Sequence, residues 1–185
     1  AANIWGYDLW PPDEPRFAES AREIVESGDW LVLRVNGEPY AEKPPLLMWA
    51  IALLSLVVGD VTSMTARTPS VLSALAALWF TWLLARRLYG RKTAIWSILI
   101  LATYARFWWQ ARTGQIDMLL TACLAGALWA FWMWHESRRI AWLVAFYGAI
   151  TAAVYAKGPP GLVFPLLLVF VFYWKQPRER KATHW

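Results

Sequence analysis

The chain contains one cysteine, Cys123, and two histidines, His135 and His184. A lone cysteine inside an apolar run excludes an internal disulfide and most zinc-site patterns, and reads as core. No Ser/His/Asp or Cys/His arrangement can be assembled from so few candidates. No glycine-rich phosphate loop is present, so a soluble nucleotide has no cradle. Acids are scarce over most of the length. Before Pro69 they outnumber bases about two to one, and after it only Asp117, Glu136 and Glu179 remain.

Apolar residues make up 58% of the 185-residue chain and aromatic residues 16%, with fifteen tryptophans. Soluble domains lie nearer 45–50% apolar, so the composition is that of an integral membrane protein. The net charge of +5 is no sign of nucleic acid. Its basic residues stand at the ends of apolar runs, where they set topology. Trp108, Trp109, Trp129, Trp132, Trp134, Trp142 and Trp174 mostly lie near run ends too, as an interfacial aromatic belt. Ala1 to Trp5 carry neither a start methionine nor an apolar signal. A polar loop beginning on the far side of a membrane needs an upstream carrier, so the first spanning helix is expected to be missing. The basic tail, Lys175 to Lys181, reads as a loop leading to further segments.

Residues 15–27 predict an amphipathic helix. Pro15 suits its first turn, Asp13 and Glu14 suit its positive end, and Phe17, Ala21, Ile24 and Val25 share one face. Gly28 stops it, and Asn36-Gly37 marks a hairpin-like turn within 31–40. Residues 46–58 are apolar on every side but short, as in interfacial helices. Spanning helices are expected at 69–88, 93–111, 117–134, 140–156 and 160–174. The fold class is therefore an all-α integral membrane protein, a transmembrane bundle (69–185) with a periplasmic first loop (1–68) holding two juxtamembrane helices.

Orientation follows from the arginines. Arg86 to Lys92 form the densest basic loop and belong in the cytoplasm. Alternation then puts Arg138-Arg139 and the basic tail inside, and Arg112–Asp117 and Lys157 outside. The acidic segment falls outside only if 46–58 does not cross. On that reading Asp13, Glu14, Arg16, Glu42, Lys43, Asp117 and Lys157 meet at one membrane face, approached also by Arg106 and Arg112.

Each group has a plainer alternative. Asp13 and Glu14 could cap their helix. Glu42 and Lys43 could be an ion pair opening an interfacial helix. Asp117 could cap its helix or pair with Arg112, and Lys157 could belong to a Gly/Pro turn. A fixed ammonium beside the bilayer surface nevertheless suits a lipid phosphate, and Lys43 with Lys157 could clamp one at two points.

The ordered set of motifs resembles a family. Pro-Asp-Glu-x-Arg-Phe-Ala-Glu at 12–19, Ser-Gly-Asp-Trp at 27–30, Asn-Gly-x-x-Tyr at 36–40 and Glu-Lys-Pro-Pro-Leu at 42–46 look like the first extracytoplasmic loop of bacterial polyprenyl-phosphate-sugar glycosyltransferases of the GT-C fold. That group includes lipid A aminoarabinose transferases and relatives of protein O-mannosyltransferases. Ala66 to Ser70, Leu84 to Gly90, Asp117-Met118 and Lys157-Gly158-Pro159 continue the match in order.

The resemblance implies inverting transfer of a sugar from an undecaprenyl-phosphate donor to a lipid A or protein/glycan acceptor, at the periplasmic face of the bacterial inner membrane. It makes Asp13, Glu14 and Asp117 the site acids, and Arg16, Glu42, Lys43 and Lys157 the substrate-binding groups. A divalent metal is the one cofactor such oxygen ligands would suit, with Asp13 and Glu42 as its first ligands. The expected partners are the lipid-linked donor, membrane lipid and the rest of the full-length enzyme, without which this portion is expected to be inactive. A non-catalytic module, such as a lipid or polysaccharide transporter subunit, remains the alternative. The transferase reading needs Asp13, Lys43, Asp117 and Lys157 around one cavity.

Overall fold

The computed structural model describes residues 8–175; the N-terminal residues 1–7, and the tail beyond Lys175 with His184, lie outside the described residues. The chain is helical except for one small hairpin. Helix α1 (Asp13–Ser27) is followed by strands β1 (Arg34–Val35) and β2 (Glu38–Pro39), then α2 (Leu46–Val58). Next come α3 (Ser63–Tyr89), α4 (Arg91–Thr103), α5 (Ala105–Arg112), α6 (Ile116–Ser137), α7 (Ile140–Lys157) and α8 (Pro159–Trp174).

The first loop is a small folded layer over the helix ends. α1 buries Phe17, Ala21 and Ile24 at helical spacing, against Leu47, Met48, Ile51 and Ala52 of α2. It ends at Gly28, whose φ of 72° is a left-handed stop that favours glycine. The hairpin turns through Asn36 and Gly37, at φ 54° and 80°, the pattern of a two-residue primed turn. It is tied to α1 by the Gly37 amide donating to Glu23 at 2.9 Å. The indole of Trp49 donates to the Trp30 carbonyl at 2.8 Å and fixes α2 beneath the same loop. The other side of α2 leaves Leu53, Leu56, Val57 and Val58 exposed.

Three described helices are long and apolar enough to cross a membrane: α3, α6 and α7. They approach closely because small residues line their contacts, as in other membrane bundles. α3 presents Ala66, Ser70, Ala74 and Ala77 as its buried face. A methyl group on Gly126 of α6 would sit 3.1 Å from the Phe80 ring. Gly161 brings α8 against the α7 backbone, where a methyl group would fall 2.3 Å from the Ala153 carbonyl carbon.

Three expectations need correction. The loop/bundle boundary at 68 falls inside α3. That helix starts at Ser63 on a Thr62–Thr65 capping box and passes through Pro69. Secondly, the single span expected at 93–111 is two helices, parted at Tyr104 with ψ of 121°. No proline or glycine marks the break. Packing supports it, since α5 buries Phe107 among Ala74, Ala77, Met118 and Ala122 and turns its arginines outward. Thirdly, α8 has only 16 residues, a length of about 24 Å at 1.5 Å per residue, short of a hydrocarbon core of about 30 Å.

The two ends of the bundle differ in charge. At one end Arg87 pairs with Glu136 at 2.8 Å, while Arg86 and Arg138 lie over Trp82 and Trp134. The first loop and the carboxylates of Glu14 and Asp117 gather at the other. With α3 about 40 Å long, these ends should face different compartments. In a Cys123→Ala background, cysteines placed at Asp60 and at Lys92 are expected to react with an impermeant thiol reagent from opposite sides of the membrane. Labelling of both from one side would contradict this arrangement.

Candidate active site

Glu14 is buried, with 1% of its surface exposed, and so is Arg67. Their side chains meet at 2.8 and 3.1 Å through two guanidinium nitrogens. The same carboxylate accepts from the Trp10 amide at 2.6 Å and from the Gly114 amide, while Arg67 also donates to the Asp8 carbonyl at 2.8 Å. A methyl group on Gly114 would come within 3.0 Å of the Ala66 carbonyl, so only glycine brings that amide so close. Burial pushes the Glu14 pKa up, but the Arg67 bond and the two amides outweigh it and hold the carboxyl below its ordinary value. Instead of capping α1 or facing a cavity, Glu14 fastens the first loop to α3 and to the α5–α6 turn. Sequence reading did not select Arg67. Its signal was an arginine in an apolar stretch next to Pro69, where a charge requires a partner.

The α5–α6 turn is held a second time by Ser70. Its hydroxyl accepts from the Gln115 amide at 3.0 Å and donates to the Gln115 carbonyl at 3.3 Å. This places Asp117 in the first turn of α6. One Asp117 oxygen takes the ammonium of Lys157, and the other accepts from Gln110 of α5 at 3.1 Å. The expected alternative partner, Arg112, lies instead over the Trp108 ring at 4.4 Å. Residues from α5, α6 and α7 thus converge on one carboxylate.

Asp13, Arg16 and Glu42 gather around Tyr40. Burial and the Glu42 carboxylate raise the Tyr40 pKa, Arg16 pulls it back, and Asp13 adds to the rise. Lys43 lines a groove of about 290 Å³ with Leu31, Leu33, Pro39, Tyr40 and Pro45. Just beyond, the Pro44 ring stands where a side chain on Gly158 would touch it. Lys43 and Lys157 therefore lie at the same end of the bundle. None of the four principal cavities among the described residues is lined by Asp13, Lys43, Asp117 and Lys157 together. Among the described residues no three His, Cys, Asp or Glu side chains stand close enough to hold a metal. Asp13 and Glu42 share their surroundings with Arg16, and Glu14 and Asp117 are already paired with cations, a donor set that does not fit a divalent ion.

Fold and site together define a multi-pass helical membrane protein with a charged, loop-covered site at one end. The sequence pattern of the family described as dolichyl-phosphate-mannose-protein mannosyltransferase matches residues 42–184, and the chain belongs to that family. It is 31% identical over 169 residues to an undecaprenyl phosphate-alpha-4-amino-4-deoxy-L-arabinose arabinosyl transferase of Shewanella sediminis, covering 89% of this chain and 31% of that protein. With the protein of the same description from Edwardsiella ictaluri it shares 34% identity over 130 residues, 70% of this chain and 23% of the relative. The crystal structure of ArnT from Cupriavidus metallidurans in the apo state superposes with a TM-score of 0.86 at 30% identity, over 92% of this chain and 33% of that one. The form bound to undecaprenyl phosphate gives 0.85 at the same identity, over 92% and 32%. The chain spans about a third of the length of these relatives or less.

Removing one partner of the buried pair should cost about 3–5 kcal/mol, because the other charge is left uncompensated. Arg67→Met and Glu14→Gln are each expected to lower the thermal midpoint of the detergent-solubilised protein, with the double variant less affected than the sum. Glu14 titrates at a lower pH folded than unfolded, so its contribution is present above the unfolded value of about 4.5 and is lost as pH falls through the folded one. Unfolding free energy measured from pH 6 down to 3 should fall for the unaltered protein and fall less steeply for Glu14→Gln.

Proposed function

We propose that the chain is the N-terminal portion of a transferase that moves a sugar from an undecaprenyl-phosphate carrier to a lipid A or protein/glycan acceptor, at the periplasmic face of the bacterial inner membrane. The observation that carries this reading is Lys157, held by Asp117 and Gln110, at the same end of the bundle as Lys43 and the carboxylates of the first loop. Family membership and the relatives' descriptions support it. The arginine-rich loops at the opposite end support a cytoplasmic placement for that end.

The chemistry follows from where charge develops. As the bond between the sugar's anomeric carbon and the carrier phosphate breaks, negative charge grows on the departing phosphate oxygen. An ammonium already fixed there stabilises the transition state more than the ground state. Lys157 spends one N–H on Asp117 and keeps two for phosphate. Asp117 thus positions a cation. Lys43, held after the hairpin by Pro44 and Pro45, supplies a second. Asp13 takes the proton if the acceptor is a hydroxyl, and orients the acceptor if it is a phosphate. Arg16, Glu42 and Tyr40 complete the polar wall around it. No step is routed through a metal.

The alternative of a transport module calls for a polar path through the bilayer. Charged residues in α3, α6 and α7 are confined to the helix ends, and α8 has none, so nothing favours it.

In membranes carrying the full-length protein and an undecaprenyl-phosphate sugar, Lys157→Ala is expected to lower kcat/KM about 100- to 1,000-fold, the usual effect of losing one charge-stabilising donor. Asp13→Asn should lose transfer with membrane insertion intact. Turnover near that of the unaltered enzyme in both variants would refute the site.

A further inference from the structure

α5 departs from the line of α4 at Tyr104, buries Phe107, and leaves Trp108 and Trp109 about half exposed. Trp10 from the first loop is 57% exposed and meets Trp109 edge-on at 5.6 Å. The Arg112 guanidinium lies on Trp108, and Arg106 is exposed on the same helix. α5 contains no acid, and neither arginine has a carboxylate partner among the described residues. At this end of the bundle Arg67, Lys157 and Arg22 each have one.

Tryptophans alone would read as an ordinary interfacial belt. The arginines do not belong to such a belt. The other basic inter-helix loops collect at the opposite end, as the charge rule requires, and α5 places two unneutralised guanidiniums against it. Arg106 precedes Gln110 by four residues, so the two share a helix face, and Gln110 grips Asp117. A group bound at Arg106 therefore lies one helical turn from the contact that holds the site's carboxylate. Guanidinium forks match phosphate oxygens, and indole rings settle at the boundary between headgroup and acyl chain.

We propose that α5, together with Trp10, docks the acceptor, and that the acceptor is a membrane amphiphile with a phosphate-bearing headgroup. The word acceptor rests on the transferase reading; the phosphate preference of the surface does not. Lys43 and Lys157 face the carrier phosphate, and Arg106 and Arg112 hold the second substrate's phosphate.

The test uses the full-length protein in phosphatidylcholine nanodiscs, with photoreactive benzoylphenylalanine replacing Trp109 or, as a control on the membrane-facing side of α3, Trp79. The probes are radiolabelled phosphatidic acid and radiolabelled phosphatidylcholine at equal amounts. Crosslinking at 109 is expected to favour phosphatidic acid roughly tenfold, as one charge-assisted bond allows, with no preference at 79. Arg106→Gln with Arg112→Gln should erase the preference, and in a transfer assay should raise the acceptor KM while leaving the donor KM unchanged. Equal labelling by both lipids at 109 would reduce the surface to an interfacial belt and overturn the proposal. Displacement of the phosphatidic acid crosslink by undecaprenyl phosphate would assign the surface to the carrier, and equally overturn it. A clear phosphatidic acid preference in a protein that transfers no sugar would support the docking surface and sink the transferase reading.

Discussion

A carboxylate removed from water must be matched oxygen by oxygen, and Glu14 is. Arg67 closes on it with two nitrogens, and the Trp10 and Gly114 amides supply the rest. The two residues are 53 positions apart in sequence, and Gly114 is 100 from Glu14, so one ion pair fixes three distant segments. Its net contribution to stability against an apolar replacement is small, because both ions had to be desolvated. What it sets is placement. Neither charge has another partner of comparable quality, so the loop has one way to sit on the helix ends. Asp13, next to Glu14, and Asp117, three residues past Gly114, inherit their positions from that contact.

A similar economy holds at Asp117. Its two oxygens are divided between a cation from α7 and an amide from α5. A lysine with four rotatable bonds gains nothing catalytically until it is held, since the entropy of fixing it would otherwise fall in the transition state. Pinning by an acid that is itself pinned supplies this in the ground state. The break at Tyr104 gains its meaning here. A straight helix from Arg91 to Arg112 would continue the line of α4, whereas the bend brings Gln110 to Asp117 and exposes the tryptophan and arginine side of α5.

Much of the architecture was legible in the residues. α1, the hairpin, α2, α6, α7 and α8 begin within two positions of their expected starts, because amphipathic spacing, Asn-Gly and the Gly/Pro stops are local signals. The convergence of Asp13, Glu42, Lys43, Asp117 and Lys157 at one end was legible too, since alternating spans and clustered arginines leave little freedom for where the loops fall. Family membership of residues 42–184 was anticipated by the same ordered motifs. The start of α3 at Ser63 was hidden by Pro69, which reads as a boundary although a helix can pass it. The break at Tyr104 had no local signal at all.

The sequence by itself determined that this chain lives in a membrane, which end carries the acids and which the arginines, and which helices exist. Those properties depend on composition and period, and both are written residue by residue. Only the tertiary structure decided the partners. Glu14 went to Arg67 and not to a helix cap, Asp117 to Lys157 and Gln110 and not to Arg112, and the two arginines of α5 were left facing outward. Pairing among many nearby charges is settled by angstroms of backbone placement, and those come from how Gly114, Ser70 and the small faces of α3 and α6 pack.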